Sequence, residues 1–250
     1  MRWTAHITVC CCTYDRPEYL RRMLYCFERQ THEDRALIVL DDSGRLGNHE
    51  GDRWRIISEA ARFASLGVKR NAVAQLAGRT DALVVWDDDD LYLPHALEAT
   101  ADALGDAPWS RPSIACLSRQ GGTLQRVRTW NRPDETDKAF QCCWGIHRDV
   151  FWEVGGYSAM SRGEDCDLAR RLLAAGVTEC DPIELGHLPW YIWGPWHNRH
   201  LTHQPYTEWP EPGFGVQTML PEPPPGFDLE RPVFSERINK RPGPEDWFCT

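Results

Sequence analysis

Four consecutive aspartates, Asp87 to Asp90, follow directly on the apolar run Ala82-Leu83-Val84-Val85-Trp86. A short apolar run rich in β-formers reads as a buried strand, so the carboxylates fall at its carboxyl end. In open α/β sheets that end is where ligands bind. Carboxylates this close repel one another, and without a cation some take up protons. A hard divalent ion, Mn²⁺ or Mg²⁺, with oxygen ligands and a bound phosphate relieves the repulsion. A solvated acidic loop is the plain alternative. Because the run caps a buried strand and leads into a helix, the metal reading is preferred.

Strand and helix signals alternate through the first half. Ile7 to Cys12 is a strand, and Pro17 opens a helix to about Gln30 with Leu20, Leu24 and Phe27 at helical spacing. Ala36 to Leu40 is a second buried strand, ending in Asp41-Asp42-Ser43-Gly44. Ser58 to Leu76 is patterned as a helix broken near Gly67, with Gly78 as its stop before the Ala82 strand. Pro94 fits the first turn of a helix reaching Leu104. Such alternation predicts an α/β fold with one Rossmann-like, doubly wound, mostly parallel sheet.

The second half is less regular. Ile114 to Ser118 and Leu124 to Trp130 read as two strands joined across Gly121-Gly122, the start of a smaller sheet. Phe140 to His147 reads as a strand, followed by a short helix and the turn Gly155-Gly156-Tyr157. Asp165 to Ala175 is an amphipathic helix with Leu168, Leu172 and Leu173 inward and Gly176 as its stop. Ten of the 18 prolines lie from Pro205 onward, which predicts an extended tail. The expected division is a domain over 1–204, with halves meeting near residue 110, and a packed Pro-rich tail over 205–250.

Composition narrows the function classes. A net charge of −9 argues against a non-specific nucleic-acid or acidic-membrane binder, without closing off a local basic patch. No apolar run approaches the roughly 18 residues of a membrane span. The strand-like start leaves no signal-peptide layout, so the expected location is cytoplasmic. The 10 cysteines include the contiguous sets Cys10-Cys11-Cys12 and Cys142-Cys143 but no Cys-x-x-Cys pair. They read as small buried hydrophobes in a reducing compartment rather than as a structural zinc site.

Five segments in order resemble the family 2 glycosyltransferases, which have the GT-A fold. They are Val9 to Pro17, Leu40 to Gly44, Val68-Lys69-Arg70-Asn71, Trp86 to Pro94, and Val154 to Tyr157 followed by Gly163-Glu164-Asp165. The resemblance covers roughly residues 5 to 200. It implies that Asp42 hydrogen-bonds a nucleotide base, with Thr13, Tyr14 and Asp15 around base and ribose. It implies that Asp88 contacts ribose or sugar and that Arg70 lies beside the donor. Asp89 is implied as the principal metal ligand, with Asp87 completing an Asp-x-Asp pair. Asp165 is implied as general base, in the acidic station with Glu164. The cofactor is then Mn²⁺ or Mg²⁺, the donor a nucleotide-diphospho-sugar, and the acceptor a carbohydrate or another hydroxyl-bearing molecule. A nucleic-acid acceptor fits the acidic charge poorly but stays open.

The chemistry asks for the same residue types. A metal held by aspartates neutralises charge on a departing diphosphate. A carboxylate across the anomeric carbon removes the acceptor's proton, worth roughly 10²–10⁴-fold. Attack in line then inverts the sugar. Each residue also has a plainer role. Glu164, Asp165 and Asp167 complement a helix dipole, Asp42 suits a turn, and Arg70 suits a solvated helix face.

His187 to His203 carries Trp190, Tyr191, Trp193 and Trp196 with four histidines. His197 is the choice for a third metal ligand, beside an ordinary structural role. At least half of the tryptophans are expected in the core, the rest being candidates to stack on a sugar. Two other function classes compete. A nucleotidyltransferase needs a Gly-rich phosphate loop after the first strand, and Cys12 to Pro17 contains no glycine. A non-catalytic nucleotide-sugar or carbohydrate-binding module would have lost its base carboxylate, yet Glu164 and Asp165 are both present.

Overall fold

A computed structural model describes residues 6–118, 124–128 and 141–193. In chain order the elements begin β1 Ile7–Thr13, α1 Pro17–Glu28, β2 Arg35–Asp41, β3 His49–Glu50 and β4 Trp54–Ser58. They continue α2 Leu66–Leu76, β5 Ala82–Asp87, β6 Leu91–Tyr92, α3 Ala96–Asp106 and β7 Trp109–Ser110. Then come β8 Ile114–Ser118, β9 Leu124–Arg128, a 3₁₀ turn Gln141–Cys143, β10 Gly145–His147 and α4 Arg148–Glu153. The last are α5 Glu164–Ala174, β11 Glu179–Cys180 and β12 Tyr191–Trp193. The α/β class is as expected. Eight strands form one sheet in the order β11-β7-β10-β5-β1-β2-β4-β3, and four form a smaller one in the order β6-β12-β8-β9.

The centre of the large sheet is parallel, with β1 bonded on one side to β2 and on the other to β5. Strands covered on both faces read as continuous apolar runs, which is why Ile7 to Cys11 is buried without alternation. The register is what matters for function. Thr13 lies opposite Asp41, and Cys12 lies opposite Asp87, so three strand ends deliver polar residues to one edge.

Helix α1 buries Leu20, Met23, Leu24 and Phe27, as its spacing predicts. It stops at Glu28, short of Gln30, whose side chain turns inward instead. The Gln30 amide donates to the Cys26 and Leu93 carbonyls and its oxygen accepts from the Leu97 N–H, tying α1 to the start of α3.

Two expectations are corrected. The predicted helix over Ser58–Leu76 starts only at Leu66, after the Ser65 side chain caps the Val68 N–H at 3.2 Å. Ser58 ends β4, which pairs with β2 and lengthens the sheet, and 59–65 run as a loop between the two elements. Gly67 is no break. Its N–H donates to the Met160 carbonyl, and a Cβ there would sit 1.9 Å from the Ser158 carbonyl oxygen. The predicted strand over Phe140–His147 is strand only from Gly145, because Gln141 to Cys143 coil into a buried 3₁₀ turn.

The predicted pair Ile114–Ser118 and Leu124–Trp130 does form an antiparallel ladder, as β8 and β9. Trp190 is buried and Trp193 packs partly against the core, in line with a structural role for these indoles. Nine of the cysteines are free, and Cys10, Cys11, Cys26, Cys116, Cys142 and Cys143 are buried, as small hydrophobes should be. Trp196, His197, the Gly121-Gly122 turn and the tail boundary at 204 lie outside the described residues. No helix among the described residues is long and apolar enough to cross a membrane.

Candidate active site

The four aspartates alternate. Asp87 and Asp89 keep 31% and 11% of their side-chain surface open, whereas Asp88 keeps 4% and Asp90 is buried. The buried pair is spoken for. Asp88 accepts from the Thr13 hydroxyl at 2.5 Å and from Arg16 at 3.1 Å. Asp90 accepts from the Tyr191 hydroxyl at 2.7 Å. Beneath them Trp86 stacks on Tyr92, ring centres 3.9 Å apart, and the Tyr92 hydroxyl accepts from the Asp87 N–H at 2.8 Å. Burial and the neighbouring Asp89 push the Asp88 carboxyl up to about 7, against the pull of Arg16 and Thr13.

Asp87 links this edge to two other elements. Its Oδ1 lies 3.2 Å from the Arg70 guanidinium, and its Oδ2 accepts from the Cys142 thiol at 2.7 Å. Asp87, Asp90 and Cys142 each bring one ligand atom within 4.8 Å of the others. Asp89 stands apart from that trio, with its Oδ2 3.0 Å from Arg16.

At the neighbouring strand end, two adjacent aspartates divide their labour. Asp41 is saturated by the Ser43 and Ser58 hydroxyls at 2.7 Å and by the Asp15 and Ser43 N–H groups at 3.2 Å, so it builds the turn. Asp42 instead meets the buried Lys69 ammonium at 2.5 Å, the Phe63 N–H at 3.2 Å and the Arg62 guanidinium at 3.5 Å. Burial alone would raise the Asp42 carboxyl. Lys69 with Phe63 and Arg62 outweighs it and holds the group below its ordinary range. The same ammonium donates to the Thr13 carbonyl at 2.5 Å, joining the Asp42 and Asp88 clusters. Tyr14, 43% exposed, lies beside them with the Arg62 guanidinium 3.9 Å over its ring.

The second acidic station opens α5, where Gly163 flanks the helix at φ 71°. Glu164 is buried, with its Oε1 3.4 Å from Arg70. Desolvation raises its carboxyl, with Arg70 pulling the other way. Asp165 is half-buried, and its carboxylate accepts from the Cys166 N–H at 2.8 Å. Asp167 bonds Ser158 and Arg171, and Arg171 Nη2 donates to the Gly156 carbonyl at 2.6 Å. Asn71 grips the Tyr157 peptide from both sides at 2.8 Å. Helix α2 thus supplies Arg70 to both stations and Asn71 to the turn between them.

The structure brings Thr13, Asp42, Asp88 and Asp89 into one bonded network through Lys69 and Arg16, and Arg70, Asp87 and Glu164 into a second, with Tyr14 beside the first and Asp165 beside the second. Asp15 bonds Arg45 at 2.6 Å and adopts φ 50°, which turns the chain out of β1. Sequence reasoning missed Lys69, Arg16, Tyr191 and Cys142. Lys69 carried a signal: it shares a helix face with Val73, a buried residue four positions on.

Two sheets with acidic stations at one edge define the GT-A class of α/β architecture. A model described as Glycosyl transferase family 2 matches residues 8–155, more than half of the chain, and the chain belongs to that family. S. aureus TarS 1–349 in complex with UDP-GlcNAc is similar with a TM-score of 0.59 at 12% identity, over 80% of this chain and 61% of that one. The same fragment in complex with UDP gives 0.56 at 12% identity, over 76% and 60%. Likeness at this identity shows the fold, and the chain spans about 60% of the length of that fragment. No curated protein matches the sequence.

Proposed function

We propose that the chain transfers a sugar, with inversion, from a nucleotide-diphospho-sugar to an acceptor hydroxyl. The observation that carries this reading is Arg70, which ion-pairs with Asp87 at the end of β5 and with Glu164 at the start of α5. One buried guanidinium thereby fixes the spacing of two acidic stations that the reaction needs on opposite sides of the sugar. The donor is taken to be a UDP-sugar, a choice supported by the UDP and UDP-GlcNAc complexes of the TarS fragment.

Asp87 and Asp89 are the open members of the aspartate run, and their hard carboxylate oxygens suit Mn²⁺ or Mg²⁺. As an Asp-x-Asp pair they would hold the ion, with a carboxylate oxygen of Asp90 within 4.8 Å of Asp87. A divalent ion held there supplies positive charge against the diphosphate leaving group. Asp42, kept ionised by Lys69, accepts an N–H from the base edge. Asp165 takes the proton from the acceptor hydroxyl, because Glu164 is buried and committed to Arg70. His197 remains a proposed third ligand.

Calorimetric titration of UDP, GDP and their sugar conjugates, with and without Mn²⁺, tests the donor site. Metal-dependent binding of one nucleotide, lost in Asp89→Ala, supports the reading. Absence of nucleotide binding under every metal condition sinks it.

A further inference from the structure

Arg16 has no part in the function proposed above, yet one of its nitrogens touches two aspartates of the run. Nη1 lies 3.1 Å from Asp88 Oδ1 and 3.0 Å from Asp89 Oδ2. The Arg16 side chain is 26% exposed, more than the 4% and 11% of the carboxylates beneath it, so it covers them from the solvent side. Arg16 is not part of a helix: it flanks α1 with φ −125° and ψ 63°, directly after the left-handed Asp15. Its backbone carbonyl accepts from the Leu20 N–H, which anchors the main chain independently of the guanidinium, and the guanidinium also lies 5.7 Å over the Tyr19 ring. Asp88 has a second anchor in the Thr13 hydroxyl and stays in place if the guanidinium leaves.

We propose that Arg16 is a built-in counter-cation, which holds Asp89 in the free protein and gives way when a divalent ion takes that carboxylate. Two cations next to one carboxylate repel, so a metal held by Asp89 weakens the Arg16 ion pair at Oδ2. Arg16 then sets the affinity for metal as a competitor. It is a positioning residue and touches no reacting atom. The inference rests on Asp89 being a metal ligand.

Mn²⁺ titration followed by electron paramagnetic resonance, on the nucleotide-free protein, separates the possibilities. Wild type, Arg16→Gln, Arg16→Lys and Asp89→Asn are compared. Removal of one charge-assisted bond from Asp89 predicts that Arg16→Gln binds Mn²⁺ about ten-fold tighter. Arg16→Lys keeps the charge but loses the planar fork, and falls between the two. Affinity that is unchanged or weaker in both Arg16 variants, with wild type binding Mn²⁺ and Asp89→Asn failing to, overturns the counter-cation and leaves the metal ligand standing. Absence of Mn²⁺ binding in every form, or equal binding in Asp89→Asn, brings down both. A merely structural Arg16 would weaken metal binding when removed, the opposite sign.

Discussion

The two acidic stations are built in different ways. At Asp87–Asp90 the backbone runs on from a strand, and burial alternates along it, leaving two carboxylates open and two enclosed. Every enclosed group is held from far away in sequence, Asp88 by Thr13 and Asp90 by Tyr191. At Glu164–Asp167 a helix start spreads the carboxylates around an axis. Glu164 points inward to Arg70, Asp165 stays at the border, and Asp167 is held by the nearby Ser158 and Arg171. The first station depends on the whole sheet, and the second on one turn and two helices, α5 and the α2 residues Arg70 and Asn71. Substitutions at the first should therefore disturb stability, and at the second mainly chemistry.

Asp165→Asn is the sharpest way to break that contrast. It should lower turnover by about 10²–10⁴-fold while donor affinity and melting temperature hold, as read by steady-state kinetics beside calorimetry. Equal loss of donor binding would show that the second station is also structural. Lys69→Met should act the other way. It leaves Asp42 buried without its partner and should cost about 3–5 kcal/mol in denaturant unfolding.

The pH dependence of the same pair has a defined sign. The folded Asp42 carboxyl lies below its unfolded value. Its contribution is therefore fully present above the unfolded value of about 4 and is lost as pH falls through the folded one. Asp42→Asn should flatten the acid limb of stability below about pH 4, and an unchanged limb would refute the pairing. Asn71→Ala, which strips the Tyr157 peptide of both its bonds, should cost about 1–3 kcal/mol. The smallest effect belongs to Asp15→Gly, where relief at φ 50° offsets the exposed Arg45 pair, and unfolding should shift by no more than about 0.5 kcal/mol.

The same contrast governs what could be read from sequence. Strands β1, β2 and β5 are covered on both faces and announce themselves as apolar runs. The two-residue strands β3, β6, β7 and β11 carry no period, and only their neighbours make them strands. Ser58 to Leu76 read as one helix because Ala60, Ala61 and Ala64 are strong helix formers, yet they lie in the loop over 59–65. The acidic members of the site were legible because carboxylates clustered after an apolar strand are costly without a purpose. Of their cationic partners only Arg70 was. Arg16 looks like an ordinary surface residue, and Lys69 shows only its place on the Val73 face, until the sheet register carries Asp88 and Asp42 to meet them.

The bond from Tyr191 to Asp90 also sets a schedule. Its two residues lie 101 positions apart, so a ribosome adding roughly 5–20 residues per second makes the hydroxyl about 5–20 s after the carboxylate. Through that interval the nascent chain carries Asp90 without its cap. The aspartate edge is therefore among the last parts to close during synthesis, after the parallel centre of the sheet has its strands in hand.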